Sequence, residues 1–450
     1  MVERTHLRVA AAVTLLVCAG IVGAAYLSRP TSAVTDATGE SARVAPANGT
    51  TVIATDSNTW LGRESDGPRA NAELVAFGAD GERRYYDDTH TRYWDVDPVE
   101  GTNATVEYLY ADHLTPEECG GESACTRNGI ERVNLTTGSV EGIYSRVTAG
   151  KHSTRWHDGD RLSDSTYVVA DIAADRVFVV NTTTGVVEWS WDAQAAFDPA
   201  TTGGPYPSDW THLNDVEVLE SGLIQVSLRN HDRVVYLDRE TGLVENRTLG
   251  NGSHDILYEQ HNPDYIENPD GDDAVLVADS ENNRLVEYRD TGGEWVRSWV
   301  WQDKRLQWAR DADRLPNGHT LVTDSNGNRV FELDETGEVV WSVPVAFPYE
   351  AERLGTGDES AGGPPAHELD LQNQTAGGST VGDGGPSQSS VLPGPVVNAV
   401  YYVLPRWMGV TELLVSCLGL AVGALWAIAE LRWLPYRVSL TNPVSLRKRR

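Results

Sequence analysis

The chain carries a repeated pattern of about 50 residues, and this pattern limits the folds that it can adopt. Each copy has a short apolar stretch, a polar turn, an arginine, and a later Thr-Gly pair. The four clearest copies begin at Val169, Val226, Val277 and Val322. Their Thr-Gly pairs begin at Thr184, Thr241, Thr291 and Thr336. Repeats of this length, each holding several short strands, are typical of a β-propeller.

A second recurring feature gives the number of blades. Ahead of each hairpin, a key residue is followed three places later by an acidic residue. The six pairs are Trp94 with Asp97, His157 with Asp160, His212 with Asp215, His261 with Asp264, Arg310 with Asp313, and Tyr349 with Glu352. Six pairs predict six blades. Because equivalent positions of a propeller lie at one height around its axis, we expect the key residues to form a ring.

The two ends of the repeat region are predicted to meet in one blade. No hairpin follows Tyr349, whereas residues 48–57 resemble residues 317–325 of the hairpin after Arg310. N-terminal strands that pair with the strand at Tyr349 would leave no long open sheet edge. The sequence therefore predicts an all-β fold over residues 48–355, a six-bladed β-propeller closed by its N-terminal strands.

An apolar segment at each end predicts attachment to a membrane. Val9–Leu27 carries no charge, and we interpret residues 1–30 as a signal peptide or an uncleaved signal anchor. Residues 407–431 predict a C-terminal transmembrane helix. Between this helix and the propeller, residues 356–396 are rich in glycine, serine and proline, which predicts a flexible linker.

The basic residues after the second apolar segment predict the orientation in the membrane. Residues 432–450 end in Arg-Lys-Arg-Arg, which places this tail in the cytoplasm by the positive-inside rule and the propeller outside the cell. Asn-x-Ser/Thr sequons agree with an exported glycoprotein. They lie at Asn48, Asn103, Asn134, Asn181, Asn246, Asn251 and Asn373. In this oxidising setting we expect Cys119 and Cys125 to form a disulfide that closes their short loop.

The charge of the chain restricts its partners. Sixty-six acidic residues stand against 36 basic ones, for a formal net charge of −30. A strongly acidic surface with few lysines is typical of proteins that stay soluble at high salt, so we predict a halophilic protein. Nucleic acid is not expected as a partner, because binding of phosphates needs basic patches.

Three of the key positions hold histidine, which is the main indication of chemistry. His157, His212 and His261 come from successive blades, and Arg310 comes from the next one. If the repeat register holds, their side chains meet at one mouth of the central channel. Neutral imidazole acts as a nucleophile and as an acid or base near neutral pH.

Arg229 departs from the repeat in a way that indicates function. The other copies carry Asp-Ile or Asp-Ser here, whereas this copy carries Leu228-Arg229. Arginine binds tetrahedral oxyanions through a planar fork of donors. Histidines and an arginine, without an obvious nucleophilic serine or cysteine, suit transfer of a sulfuryl or phosphoryl group. No Walker-type loop is present, so a nucleotide donor is not expected.

Two stretches resemble a known family. Trp210-Thr211-His212-Leu213-Asn214 followed by Val226-Ser227-Leu228-Arg229 resembles the arylsulfotransferase (aryl-sulfate sulfotransferase) family, and Gln260-His261-Asn262-Pro263-Asp264 resembles its second histidine motif. The resemblance covers roughly residues 50–355. It implies a six-bladed propeller that moves sulfate from a phenolic sulfate ester to a phenol without a nucleotide donor. It implies no cofactor and no metal.

The resemblance also implies roles for individual residues. His261 matches the histidine that takes the sulfuryl group, His212 and Arg229 match residues that hold its oxygens, and His157 matches a further acid, base or binding histidine. Three further residues are expected to bind substrate: Asn214, Arg310 and Trp94. The implied partners are an aryl sulfate donor and a hydroxyl acceptor. Because the chain has membrane segments, we expect this acceptor to be a surface molecule in place of a free phenol.

Two other interpretations use the same fold. Three imidazoles and a water molecule would make a zinc site, as in a metal-dependent propeller lyase or hydrolase. A membrane-anchored propeller that only binds a partner at its channel mouth is a third interpretation, since fold alone does not fix function.

Overall fold

A computed structural model describes residues 2–28, 43–56, 72–121, 123–150, 154–375, 393–405, 407–434, 436–439 and 445–448. The chain divides into two compact units, Thr31–Tyr402 on one hand and Met1–Pro30 with Val403–Arg450 on the other. The larger unit is a six-bladed β-propeller, which confirms the predicted fold class. In the order of the chain, the first helix is α1 (Val2–Leu27).

Every blade is an antiparallel sheet of four strands. The first strands are β1 (Thr50–Thr55), β2 (Leu74–Phe77), β3 (Arg83–Asp87), β4 (Arg92–Pro98), β5 (Thr105–Leu114), β6 (Cys125–Asn134), β7 (Ser139–Ala149), β8 (Arg161–Ser163), β9 (Thr166–Asp171), β10 (Arg176–Asn181) and β11 (Val186–Asp192). The later strands are β12 (Leu213–Val218), β13 (Ile224–Leu228), β14 (Arg233–Asp238), β15 (Gly242–Leu243), β16 (His261–Ile266), β17 (Ala274–Asp279), β18 (Arg284–Asp290), β19 (Trp295–Trp301), β20 (Ala309–Arg314), β21 (Thr320–Asp324), β22 (Arg329–Leu333), β23 (Val339–Pro344) and β24 (Pro348–Leu354). Short 3-10 helices lie at Ile172–Ala174, Ala193–Ala195, Arg229–His231, Glu245–Arg247 and Ser280–Asn282.

The ring closes as predicted. Blade 1 has the strand order β24-β1-β2-β3, so the last propeller strand pairs with the first one, with Val52 opposite Glu352. Blades 2 to 6 follow along the chain as β4–β7, β8–β11, β12–β15, β16–β19 and β20–β23. Apolar side chains fill the space between neighbouring blades, as where Val177 of blade 3 packs in one buried cluster with Leu213 and Val226 of blade 4.

The repeated pattern reflects a repeated turn between the second and third strand of a blade. The residue just before the arginine of the repeat is Asp or Asn, and it has a positive φ in all four copies. The values are 50° at Asp175, 53° at Asp232, 51° at Asn283 and 55° at Asn328. Asp and Asn adopt this left-handed conformation more easily than other residues with a side chain, which explains why the pattern was visible in the sequence.

A ring of carboxylates joins the inner strands of successive blades. Each of them accepts a hydrogen bond from a backbone N–H on the inner strand of the next blade. The pairs are Asp95 with Gly159 (3.0 Å), Asp158 with Val216 (2.8 Å), Asp160 with Val218 (2.7 Å), Glu217 with Tyr265 (2.8 Å), Asp311 with Ala351 (3.1 Å) and Glu350 with Val96 (2.9 Å). We call these six acidic residues the carboxylate belt. They satisfy backbone donors that would otherwise be buried without a partner.

The segment after the propeller corrects one prediction. A flexible linker was expected from residue 356, but residues 356–375 pack on the blades. Ser360 donates a hydrogen bond of 2.6 Å to Asp264, the backbone N–H of Ala366 donates to Glu287, and Gln374 forms a bridge to Trp301. Glycine and serine content was a poor guide here because these contacts are made mostly by backbone groups. Residues 376–392 of the predicted linker lie outside the described part.

The described part continues with α2 (Gly394–Val403), α3 (Val410–Trp433) and a hairpin of β25 (Tyr436–Ser439) and β26 (Ser445–Lys448). Two helices, α1 and α3, are long and apolar enough to cross a membrane. Arg8 of α1 and Glu430 of α3 form an ion pair of 2.5 Å. In the propeller, Cys119 and Cys125 form the predicted disulfide at the β5–β6 connection.

Candidate active site

The three predicted histidines lie together around the propeller axis. The ring centroid of His157 is 5.3 Å from that of His212 and 5.6 Å from that of Tyr349. Tyr349 lies in turn 6.3 Å from His261. With Arg229, these four residues form a group that we call the histidine mouth. The expectation that the blades gather residues about a hundred positions apart in the sequence is therefore met.

The register of the inner strands corrects the position of His212. Gln225, Leu276 and Leu321 are equivalent residues of the repeat, and their partners across the sheet are Glu217, Asp264 and Asp313. Three places before these partners stand Asn214, His261 and Arg310. Asn214, and not His212, thus shares the repeat position of His261. His212 lies two residues earlier, just before β12, with φ +45°. The pairing of His212 with Asp215 was wrong because Asp215 and Glu217 both fit an acidic position.

The hydrogen bonds of His261 determine which ring nitrogen carries the proton. Nδ1 lies 2.8 Å from the hydroxyl of Ser280 and 3.2 Å from the carbonyl oxygen of Glu259. The Ser280 hydroxyl donates its proton to the carbonyl of Ala309 at 2.7 Å, so towards His261 it accepts. Both neighbours of Nδ1 are acceptors, and Nδ1 is therefore the protonated nitrogen. Nε2 keeps the lone pair.

His157 is a buried, neutral imidazole. It is 2 % exposed, stacks on the indole of Trp94 with centroids 4.1 Å apart, and its Nδ1 lies 3.2 Å from the Tyr349 hydroxyl. Burial first, and then the charge of Arg155, holds the pKa of His157 well below its usual value. In the described part of the chain its Nε2 has no hydrogen-bond partner. That buried nitrogen is therefore not engaged by another described residue.

His212 is oriented by a carboxylate. Its Nδ1 donates to Asp209 at 2.7 Å, which fixes this nitrogen as the protonated one and leaves Nε2 with the lone pair. Burial and the charge of Arg229 lower the pKa of His212 to about 4, although Asp209 acts in the opposite direction. The ring is therefore neutral at neutral pH. The resulting carboxylate–imidazole pair is a common way to fix the orientation of an acid–base residue.

Arg229 occupies a place that other blades give to a structural serine. In blades 5 and 6 the equivalent hydroxyls, Ser280 and Ser325, donate to backbone carbonyls of the next inner strand. In blade 4 the guanidinium of Arg229 instead contacts the carboxylate of Glu259, while its buried Nε has no partner within the described residues. The departure seen in the sequence therefore introduces a charge next to His212. Burial and Arg310 lower the pKa of His261, and Arg229 contributes to this effect.

The three residues predicted to bind substrate all lie at the mouth, but each has a structural partner. Arg310 donates to Asp56 at 3.1 Å and lies over the rings of Trp308, Phe347 and Tyr349. Asn214 donates to the carbonyl of Gln260 at 3.1 Å. Trp94, 1 % exposed, packs on His157. These contacts position the mouth, and no described contact assigns a substrate to them.

Several residues of this site were not predicted. Tyr349 contacts both His157 and His261 and holds a key position of the repeat, so the register alone indicates it. Arg155 precedes His157 by two residues, and its guanidinium lies 5.4 Å from the Trp94 ring. Asp209 and Glu259 act on His212 and Arg229 from loops ahead of inner strands. Sequence periodicity does not reach these loops, which differ between blades.

The arrangement does not favour the zinc interpretation. Within the described residues, every group of three ligand atoms closer than 4.8 Å to one another consists of carboxylates, and none includes a histidine. The Nδ1 atoms of His212 and His261 are also already engaged as donors. The rings are arranged as separate acid–base groups and not as one ligand set.

Comparisons with known proteins agree with part of this assignment. The model of the Arylsulfotransferase (ASST) family matches residues 160–292, which hold His212, Arg229 and His261. This match supports a sulfotransferase enzyme. A search of curated proteins finds no significant match.

Solved structures of low similarity are also found. A protein of unknown function from Bacteroides caccae has 12% identity and a TM-score of 0.44, with 69% of this chain and 100% of that chain covered. The periplasmic gluconolactonase of Pseudomonas aeruginosa has 14% identity and a TM-score of 0.44, with 68% and 99% covered. For a putative 6-phosphogluconolactonase from Bacteroides fragilis the values are 12%, 0.44, 68% and 97%. At this level of similarity none of these structures indicates an activity.

Proposed function

We propose that the chain transfers a sulfuryl group from an aryl sulfate ester to a hydroxyl acceptor through a sulfohistidine on His261, without a nucleotide donor. The tautomer of His261 is the observation that carries this proposal. Its Nδ1–H is held by Ser280 and Glu259, so Nε2 offers a lone pair for attack. The family match over residues 160–292 supports the same chemistry.

In the first half of the reaction, Nε2 of His261 attacks sulfur and the bond between sulfur and the aryl oxygen breaks. The aryl oxide takes the electron pair, and the imidazole ring becomes positively charged while it carries the sulfonate. Ser280 and the carbonyl of Glu259 accept from Nδ1–H and stabilise this positive charge. Arg229 stabilises the charge on the sulfuryl oxygens as a preorganised donor. Neutral His212 donates its one N–H to Asp209, so its Nε2 can accept a proton but cannot donate to those oxygens.

In the second half, the acceptor oxygen attacks sulfur and the bond between sulfur and Nε2 breaks, which returns the electron pair to His261. The proton of the acceptor passes to Nε2 of His157, the nitrogen without a partner in the described part. A low pKa keeps His157 neutral and thus able to accept it. Release of this proton to the departed aryl oxide completes a balanced exchange of one ester for another.

The proposal is tested with the purified chain, an aryl sulfate whose phenol is coloured, and a second phenol as acceptor. We expect release of the coloured phenol together with the new sulfate ester, with no nucleotide added. When acceptor is omitted, peptide mass spectrometry should find a sulfuryl group on His261. Turnover with the adduct on another residue would reject His261 as nucleophile, and no release of phenol under any condition would reject the activity.

We further propose that α1 or α3 attaches the propeller to a membrane and that the propeller faces outward, with a surface molecule as acceptor. The lengths and apolar character of the two helices support attachment. Glycosylation of the predicted sequons, for example Asn181 and Asn246, would support the outward orientation. Cleavage of the propeller by a protease added to intact, right-side-out cells tests it directly, and protection of the propeller there would place it inside.

A further inference from the structure

The carboxylate belt has one gap, and the gap holds one of three groups of converging acids in the described part of the chain. Five of the six junctions between neighbouring inner strands contain a carboxylate that accepts a backbone N–H from the next blade. Among the described residues, the junction from blade 5 to blade 6 has no such bond. Asp264 is the inner-strand acid of blade 5, and it faces Asp311 and Asp313 of blade 6 instead.

These three acids converge on one point inside the protein. One carboxylate oxygen from each residue lies within 4.8 Å of those from the other two. Asp264, Asp311 and Asp313 are only 2 %, 2 % and 1 % exposed. Three oxygens no more than 4.8 Å apart can all lie within about 2.8 Å of a common centre, close to the roughly 2.3–2.6 Å at which Ca²⁺ binds oxygen ligands.

The hydrogen bonds made to the three acids leave one carboxylate oxygen without a partner among the described residues. Ser360 donates to Asp264, while Thr323 and the backbone of Ala351 donate to Asp311. Asp313, in contrast, has a carboxylate oxygen, Oδ2, that is sealed from solvent and has no hydrogen-bond partner within the described part of the chain. A buried polar atom of this kind requires a partner, since leaving it unpaired is costly.

Among the described residues, no positive side chain forms a hydrogen bond with that oxygen. Arginines of blades 5 and 6 and of the closing strand are paired with other acids: Arg314 with Glu287, Arg329 with Asp324, and Arg353 with Glu332. Glu352, on β24, adds a further buried carboxylate oxygen without a partner, and its charge acts on Asp311 and Asp264. The group thus concentrates negative charge, which Arg353 offsets only in part, because it acts on Asp313 electrostatically while its hydrogen bond goes to Glu332.

We propose that Asp264, Asp311 and Asp313 form a binding site for a calcium ion that joins blade 5 to blade 6. The ligands are hard oxygen atoms, which select Ca²⁺ or Mg²⁺ over softer metals. Mg²⁺ usually keeps several of its waters, and a site this deeply buried favours the ion that accepts mainly protein oxygens, which is Ca²⁺. The ion would replace the carboxylate–amide bond that the other five junctions have.

Protonation is the competing way to remove the charge. Burial, and then the charge of Asp311, raises the pKa of Asp264 and of Asp313. Protons and Ca²⁺ therefore compete for the same oxygens. Binding is best measured near pH 8, where protonation is least favourable, and in roughly 1 M KCl, where the Debye length of about 3 Å suppresses loose binding to the acidic surface.

The test uses the full chain in detergent, stripped with a chelator and titrated with CaCl₂ by calorimetry. We expect about one site per chain, a rise in the unfolding temperature on Ca²⁺ addition, and Kd at least roughly tenfold larger in Asp313→Asn, as for other losses at metal sites. Asp164→Asn makes the same chemical change at a fully exposed carboxylate and should leave binding unchanged. Mg²⁺ should compete only weakly.

Each result decides the proposal. Absence of calorimetric binding and of a shift in unfolding temperature in the wild-type chain overturns it, as does equal affinity in Asp313→Asn. If Asp313→Asn does not fold, Asp264→Asn takes its place, and terbium luminescence on the wild-type chain, displaced by Ca²⁺, measures the site without any variant. None of these measurements uses sulfuryl transfer, so the calcium site and the proposed activity can fail separately.

Discussion

The histidine mouth and the carboxylate belt are built on the same inner strands, but their electrostatics are opposite. In the mouth, burial and nearby arginines lower the pKa of His157 and His261. In the belt, burial raises the pKa of Asp158, although hydrogen bonds from Asp95 and Val216 act in the opposite direction, and burial raises the pKa of Asp160 to about 7. Burial therefore disfavours the charged form in both sets, but the neighbouring charges are arginines in the mouth and acids in the belt.

This difference indicates where an anionic donor can bind. The arginines of the mouth attract a sulfate ester, whereas the belt offers it no positive charge, so we expect the substrate to bind at the mouth. Belt residues bond to backbone amides, which is a structural task shared by most blades. Mouth residues differ from blade to blade. A change in the mouth should therefore affect chemistry, and a change in the belt should affect stability.

The strongest test of this division is His261→Ala. Loss of the nucleophile should lower kcat by about a thousandfold or more, since removal of one member of a catalytic set typically has effects of this size. The unfolding temperature should change little by comparison. His254→Ala, at a side chain that is 58% exposed, is the matched control and should keep wild-type activity. Equal loss in both variants would contradict the assignment.

Arg229→Ser sharpens the comparison, because it restores the residue that blades 5 and 6 have at this position. The fold should tolerate it, since Ser280 and Ser325 show what the hydroxyl can bond to. We expect kcat to fall about a hundredfold as the sulfuryl oxygens lose a donor. Steady-state kinetics and thermal unfolding measure both effects. Arg239→Ser, at an exposed arginine, is the control. A large loss of stability with unchanged kcat would make Arg229 structural.

Periodicity in the sequence was sufficient for the fold because the blade turns use a recurrent chemistry. Asp or Asn in the left-handed conformation at Asp175, Asp232, Asn283 and Asn328 marks the same turn in four blades. The closing strand pair, β24 with β1, followed from one short similarity between hairpins. His157 and His261 followed from the same register.

The remainder depended on contacts that have no sequence period. His212 reaches the mouth from a loop with positive φ and not from the strand position assigned to it. Its partner Asp209, and the Glu259 partner of Arg229, also lie in loops. Four belt residues directly follow a key position, as Asp158 follows His157, but only the neighbouring blade shows which N–H each one binds. The glycine, serine and proline content of residues 356–375 was a poor guide for the same reason, since the contacts of this segment with the blades follow no sequence period.

The pH dependence of transfer distinguishes the mouth from an ordinary histidine site. Because the pKa of His212 is about 4 and those of His157 and His261 are lowered, all three rings stay neutral well below pH 6.5. We expect kcat/KM to fall only as pH approaches about 4, and an acidic limb near 6.5 would contradict this. These depressed pKa values contribute stability that is present above the unfolded pKa near 6.5 and is lost as pH falls towards the folded values.

The belt should respond to mutation in the opposite sense. In Asp158→Asn, the amide oxygen can still accept from the N–H of Val216, while its NH₂ can donate to Asp95 or Asp215, the two acids whose pKa values the charge of Asp158 raises. The raised pKa of Asp158 means that its folded-state stability is present below about pH 3.8 and declines as pH rises through the folded value. The variant removes this decline, so above pH 7 we expect it to be more stable by about 1 kcal/mol, with kcat changed less than about twofold.

As the control, Asp164→Asn should stay within about 0.5 kcal/mol of the stability of the wild type. A lower unfolding temperature for Asp158→Asn at pH 8 would contradict this prediction. It would show that the negative charge of the belt stabilises the fold, which is the result expected if cations were bound along the whole belt.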